Sequence, residues 1–229
     1  DYRSLALRRE LRERLRITGC ANPAAYRRYL DEHLDELSRL IEALIVPVTA
    51  FFRDTEVFTA LGQHVLPRLA KNLGPGHPLR AWSIGVSTGE EAWSVAMLLT
   101  LACERAGNVP FEVIATDIDE QALLRARRGA YRASTLAKVP PALRRRFFVG
   151  DGEKEQVGEE LRAHVRFAAH DLMGKNLAPP CAIVASFNLI LIRNVLIYFE
   201  RRLQEKAFER LVSAIEPGGV LVLGPVEML

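Results

Sequence analysis

The chain has 229 residues, 49% of them apolar and 26% charged, with a formal net charge of +3. That is the balance of a soluble globular protein, long enough for one ordinary domain and a small partner. The charge is too small to imply a nucleic-acid partner, and no apolar run is long enough to span a bilayer. Cys20, Cys103 and Cys181 are widely spaced and lack a partnered histidine pattern. They argue against a metal site and for a reducing compartment, so a cytoplasmic location is expected.

Residues 3–45 read as helices with short breaks. Leu7, Leu11 and Leu15 form one apolar stripe at i, i+4, i+8. Arg9, Arg12 and Arg16 share another face. They are either a solvated face with local partners Glu10 and Glu13, or a basic surface for an acidic helical partner. Gly19 ends this helix, Asn22-Pro23 caps the next, and Leu37–Leu44 is a third, stopped by Pro47. Thr49-Ala-Phe51-Phe52-Arg53-Asp54 then enters a helix predicted from about Thr55 to Lys71. The two aromatics and the arginine there are either a hydrophobic staple with a surface charge, or packing rings that aim Arg53 into a site. A Gly- and Pro-rich stretch, Asn72–Pro78, marks the expected linker, dividing a helical domain (1–72) from a sheet domain (79–229).

The sheet domain opens with a strand over Arg80–Ile84, a turn containing Gly85 and Gly89, and a helix from Glu90 to about Ala106. The turn lacks the full dinucleotide fingerprint, and the helix begins with two carboxylates, Glu90 and Glu91. A helix N-terminus would ordinarily suit a phosphate, which these acids repel. They suit a cationic ligand instead, and S-adenosylmethionine carries a sulfonium and an amine without any phosphate. As first-turn acids they also complement the helix dipole, a reading that leaves the glycine turn unexplained. A second strand over Phe111–Thr116 ends in Asp117-Ile-Asp119. Asp119 is placed to cap the following helix, which leaves Asp117 as the acceptor for ribose hydroxyls.

Residues 129–165 break the alternation. Arg144–Val149 and Glu155–Arg166 are predicted as short strands of an inserted hairpin turning at Gly150-Asp151-Gly152, with the inserted subdomain at about 132–165. Val165–Ala168 is the next core strand, followed by His170-Asp171-Leu172. His170 has no metal-ligand spacing around it. The apolar strand Phe187–Ile192 has the pattern of a buried parallel strand and ends in Arg193-Asn194-Val-Leu-Ile-Tyr198-Phe199. Arg193, Asn194 and Tyr198 thereby fall on the carboxyl-end edge where open α/β sheets bind ligands. A helix over Glu200–Ile215 and a strand over Val220–Leu223 complete the pattern.

Four motifs in this order resemble the CheR family of chemoreceptor glutamate methyltransferases. They are Thr49-Ala-Phe-Phe-Arg53, Trp82-Ser-Ile-Gly-Val-Ser-Thr-Gly-Glu-Glu91, Ala115-Thr-Asp-Ile-Asp119 and Arg193-Asn-Val-Leu-Ile-Tyr-Phe199. With the helical prelude, the likeness covers nearly the whole chain. It implies a Rossmann-like class I S-adenosylmethionine-dependent methyltransferase sheet, an N-terminal all-α domain and a small antiparallel β-subdomain. By matching position, Thr49, Arg53, Gly85, Glu90, Asp117, Asp171, Leu172, Arg193 and Asn194 are the implied cofactor contacts. Arg53 and Tyr198 are the implied catalytic pair. The implied product is S-adenosylhomocysteine, and the implied partner is the acidic helical bundle of a chemoreceptor, docked on Arg9, Arg12 and Arg16; a monomer is expected.

This sequence departs from the family pattern in places. Pro47 stands where Asn is common, Asp171 replaces a common Asn, and Val86 and Ile192 replace Cys. The hairpin around Gly150–Gly158 is short, which implies independence from a receptor C-terminal pentapeptide. The sequence also stops at Leu229, before a further pair of sheet strands that the family carries. The alternative function is a non-catalytic CheR-like module that binds the cofactor or its product. A nicotinamide oxidoreductase is disfavoured by Glu90 and Glu91.

Overall fold

The computed structural model describes residues 11–33, 35–37, 39–40, 49–74, 76–150, 152–182 and 186–227. The chain forms two compact units, Asp1–Val48 and Thr49–Leu229. Leu7, Arg9, part of the expected third helix and Pro47 lie outside the described residues.

In the first unit, residues 11–18 are helical and stop at Gly19, whose φ of 69° suits a residue without a Cβ. The next helix, Pro23–Glu32, has Pro at its first position, and the Asn22 side chain caps it by accepting from the Ala25 N–H at 2.9 Å. A buried polar cluster ties these segments together. Tyr26, 2% exposed, donates to Glu36 Oε1 at 2.6 Å, and Arg14 Nε reaches the same oxygen at 2.9 Å. Burial and the Glu36 bond push the Tyr26 hydroxyl up to about 12. Arg16 pairs with Glu13 at 2.7 Å on the exposed side. Arg14, absent from the predicted basic face, is the arginine that pairs with the buried Glu36.

The second unit starts with a helical stretch in three parts: α1 (Thr55–Ala60), a π-helical turn (Leu61–Val65) and α2 (Leu66–Asn72). Then come β1 (Leu79–Ile84), α3 (Glu90–Arg105), β2 (Phe111–Asp117) and α4 (Glu120–Arg128). The inserted part holds β3 (Ala130–Arg132), α5 (Pro141–Phe147), β4 (Phe148–Gly150), β5 (Lys154–Val157) and α6 (Glu159–Arg162). The chain closes with β6 (Val165–Ala169), β7 (Phe187–Ile192), a 3₁₀ turn (Leu196–Tyr198), α7 (Arg201–Ala214) and β8 (Ile215–Leu223).

Five strands form one parallel sheet in the order β6-β2-β1-β7-β8. The chain winds outward from β1 in both directions, so the order reverses between β1 and β7, where such sheets open a crevice at their carboxyl ends. Alternating residues feed two cores. Leu79, Ala81, Leu189 and Leu191 join one with Trp93 and Met97, while Trp82, Ile84, Ile190 and Ile192 join another with Leu211. Burial on both faces explains the near-continuous apolar runs of β1 and β7.

Two expectations need correction. Residues 144–147 and 159–162 are helical, whereas both lay within predicted strands. Pro141 occupies the first helical position of α5, where its fixed φ and missing N–H cost nothing, and Arg144 and Arg146 are then spent on ion pairs across elements, to Glu155 and to Glu104 and Glu160. The strand content shrinks to the three-stranded antiparallel sheet β3-β5-β4. Secondly, α1 and α2 pack in the sheet unit. Phe58, Leu61, Leu66 and Leu69 are buried in the same core as Trp93 and Leu99, so the contact boundary falls at 48/49 and the stretch Asn72–Pro78 runs inside one unit.

Candidate active site

The loop after β1 is built by backbone geometry. Gly85 (φ 72°), Ser87 (φ 48°) and Gly89 (φ 96°) all lie in the left-handed region. Gly85 and Val86 both donate to the Thr116 carbonyl, at 2.7 and 3.1 Å, which pins the loop to the end of β2. A Cβ at Gly85 would overlap Val195, and one at Gly89 would lie 2.8 Å from the Ala126 Cβ. The two glycines therefore allow the β1 loop to approach the segment after β7 on one side and α4 on the other. The Tyr131 hydroxyl, buried behind the loop, donates to the Thr88 carbonyl at 2.6 Å.

The two acids at the start of α3 are not equivalent. Glu91 accepts from Ser83 Oγ and from Arg193 Nη1, both at 2.9 Å, and is neutralised by that guanidinium. Glu90 is 5% exposed, takes hydrogen bonds from Thr88 at 2.7 and 3.0 Å, and makes no ion pair among the described residues. Its burial raises the carboxyl pKa, and the Thr88 and Thr49 hydroxyls offset this only in part. A desolvated carboxylate without a cation fits a positively charged ligand.

Asp117 ends β2 with both oxygens aimed at backbone. Oδ2 accepts from Ser87 N at 2.7 Å and Oδ1 from Asp119 N at 3.0 Å. Burial raises its pKa as well. Each oxygen keeps a second lone pair, which is what a ribose diol needs. Asp119 caps α4 by accepting from the backbone N–H groups of Gln121 and Ala122, as its place in the sequence suggests.

Arg193, at the end of β7, has a side chain 1% exposed. Its Nη2 binds the Asp54 carboxylate at 2.5 Å and the Arg53 carbonyl at 3.0 Å. The guanidinium also lies over the Phe58 ring, 5.4 Å from its centroid. Three of its hydrogen bonds thus go to protein groups. The turn before α1 that it holds is itself unusual, since Phe52 (φ 51°) and Asp54 (φ 57°) are both left-handed. Phe51 packs edge-on against Tyr131 and Phe148, Phe52 packs against Phe58, and Phe52 N donates to Ser94 Oγ at 3.1 Å. These contacts fix Arg53, half-buried, between two anchored neighbours.

The remaining candidates sit around the same edge. Leu172 is buried with Trp82 and Ile192, while Asp171 is exposed and its Oδ1 accepts from Met173 N at 2.8 Å. Asn194 (φ 61°) follows Arg193, and Tyr198 ends the 3₁₀ turn with 58% of its surface exposed. His170 donates its backbone N–H to the Asp117 carbonyl, and its ring packs near Trp82. Asp54, Thr88 and Tyr131 escaped the sequence reading. Asp54 stood next to a flagged residue, but its bond to a residue 139 positions away leaves no local pattern.

A family model, CheR methyltransferase, SAM binding domain, matches residues 47–229. The chain belongs to the CheR methyltransferase family. Chemotaxis protein methyltransferase 2 of Pseudomonas aeruginosa is 35% identical over 221 residues, covering 95% of this chain and 76% of that protein. The chemotaxis protein methyltransferase of Klebsiella aerogenes is 38% identical over 221 residues, covering 93% of this chain and 72% of that one. An uncharacterized 104.1 kDa protein of Rhodobacter capsulatus is 34% identical over 230 residues, and there the chain spans only 24% of the relative. As a CheR-family domain the chain takes S-adenosylmethionine as its cofactor, and the glycine loop, Glu90 (without an ion pair among the described residues) and the strand-end Asp117 have the chemistry to fit that molecule. No described helix is long and apolar enough to cross a membrane.

Proposed function

We propose that this CheR-family chain is a protein-glutamate O-methyltransferase that modifies the cytoplasmic helices of chemoreceptors. The observation that carries the reading is the buried Glu90 carboxylate, which makes no ion pair among the described residues. Glu90 supplies a negative group for a cationic donor, and Arg53, half-buried in the turn before α1, is the cation assigned to an anionic acceptor.

S-adenosylmethionine supplies a sulfonium methyl, to which the substrate carboxylate oxygen bonds as the carbon–sulfur bond breaks. The products are a methyl ester and S-adenosylhomocysteine. A glutamate, with a pKa near ~4.3, is already ionised at neutral pH, so no strong base is required. The protein's contribution is orientation and exclusion of water. Glu90 and Thr49 take the cationic end of the cofactor, Asp117 its ribose, and Leu172 and Asp171 the adenine. Gly85 keeps the loop close, and Asn194 lines the edge of β7.

Arg53 positions the incoming carboxylate by paired hydrogen bonds, and the Tyr198 hydroxyl orients the reacting groups. Arg193 acts one step back, neutralising Glu91 and holding the segment that carries Arg53. Arg12 and Arg16, with Arg9, form the docking face for an acidic receptor helix. The passage from β4, ending at Gly150, to β5, starting at Lys154, is short. It supports activity without a receptor C-terminal pentapeptide tether.

The test is transfer of labelled methyl to receptor cytoplasmic fragments with and without that pentapeptide. Label released as methanol in mild base, equally from both fragments, is expected. Cofactor binding without any transfer would defeat the substrate assignment and favour a cofactor-sensing module. Arg53→Ala is expected to keep cofactor affinity and lose transfer.

A further inference from the structure

The end of β7 is held by a carboxylate that the reading above leaves unused. Glu227 follows β8 and is 6% exposed. Its Oε2 accepts from the backbone N–H groups of Asn194 and Gly224, both at 2.7 Å. Its Oε1 accepts from Val195 at 2.7 Å and Leu196 at 2.8 Å. Three of the four donors are consecutive, so the chain after Arg193 is a backbone nest closed around an anion.

The surrounding residues are shaped for this contact. Asn194 holds a left-handed φ of 61° at the start of the nest. A Cβ on Gly224 would overlap Glu227 Oε2 and come within 3.1 Å of Asn194 N, so glycine is what lets the two strand ends meet. Leu196, the last donor, begins the 3₁₀ turn that ends at Tyr198. Arg193 ties the residue before the nest to Glu91 and Asp54. Glu227 fixes the three residues after it.

We infer that Glu227 is a positioning residue for cofactor binding and methyl transfer, setting Asn194 and the Leu196–Tyr198 turn through their backbone. The inference rests on the proposed roles of Asn194 and Tyr198. A carboxylate is required because four N–H donors converge on two acceptor oxygens. Glutamine would turn an NH₂ donor toward two of them.

The experiment titrates S-adenosylhomocysteine calorimetrically into the wild-type chain, Glu227→Gln, Asn194→Ala and the double variant. Glu227→Gln is expected to melt cooperatively and to bind on the order of tenfold more weakly. In the Asn194→Ala background the same change is expected to add little, because the two residues act as one unit. Gly224→Ala, which displaces the carboxylate without removing it, is expected to reproduce the loss. Wild-type affinity in a folded Glu227→Gln chain would overturn the inference, and so would an undiminished effect in the Asn194→Ala background. Loss of cooperative melting in both Glu227→Gln and Gly224→Ala would overturn it too, making Glu227 a folding residue. Since this readout needs no methyl acceptor, failure of the glutamate assignment would show separately, as wild-type binding without transfer.

Discussion

Arg193 and Asp54, 139 positions apart in sequence, meet in a 2.5 Å ion pair that joins the end of β7 to the left-handed turn before α1. The same guanidinium neutralises Glu91 at 2.9 Å. Removing it leaves a buried carboxylate uncompensated. Arg193→Met should cost about 3–5 kcal/mol in denaturant unfolding, because a broken buried pair costs more than the pair contributes. Asp54→Asn, with its acceptor 37% exposed, should cost far less in stability yet lower methyl transfer by loosening Arg53. Equal, small losses of stability for both would count against the clamp.

The Glu90 carboxyl titrates above its ordinary value of 4.5 because burial disfavours its charge. The folded chain therefore holds this proton more tightly than the unfolded one. Its contribution to stability is fully present below the ordinary value and is lost as pH rises through the raised value. Glu90→Gln should flatten that decline in urea midpoints measured across the window. A cationic ligand reverses the preference, so S-adenosylmethionine affinity should rise with pH over the same window in the wild type and lose that rise in Glu90→Gln.

Gly89 combines a φ of 96° with a Cβ path that ends 2.8 Å from Ala126. Gly89→Ala should lower stability by about 1–3 kcal/mol for the backbone alone. The crowding against α4 adds to that. Thermal melts of this variant and of Gly89→Ala/Ala126→Gly separate the two contributions, and the double variant should recover part of the loss.

Tyr131 reaches Thr88 from behind the cofactor loop, and Tyr131→Phe removes only the hydroxyl. An unpaired carbonyl of this kind costs about 1–3 kcal/mol. Because Thr88 also supports Glu90, S-adenosylhomocysteine binding should weaken with it. Unchanged binding would mean the loop is rigid without this tie.

The glycine loop, the strand-end acids and the buried strands were legible in the sequence because each is a local pattern: a turn chemistry, a strand end, an apolar run. The inserted subdomain was misread where Arg144, Arg145 and Arg146 gave no periodicity, and Pro141 was the stronger signal. The split between Glu90 and Glu91 was not legible, since two adjacent identical acids differ only in what Arg193 reaches. Glu227 and Asp54 were likewise silent. Their partners are backbone groups or side chains far along the chain, and nothing in composition or spacing marks them.

The burial of Phe58, Leu61, Leu66 and Leu69 against the helix of Met97 and Leu99 also bears on how the chain can be cut. A fragment starting at Leu79 would keep every strand of the parallel sheet and still uncover a large greasy flank, inviting aggregation, while discarding Thr49 and Arg53 as well. A fragment starting at Thr49 keeps that flank covered. The shortest soluble form of the cofactor-binding unit should begin there, well ahead of its first strand.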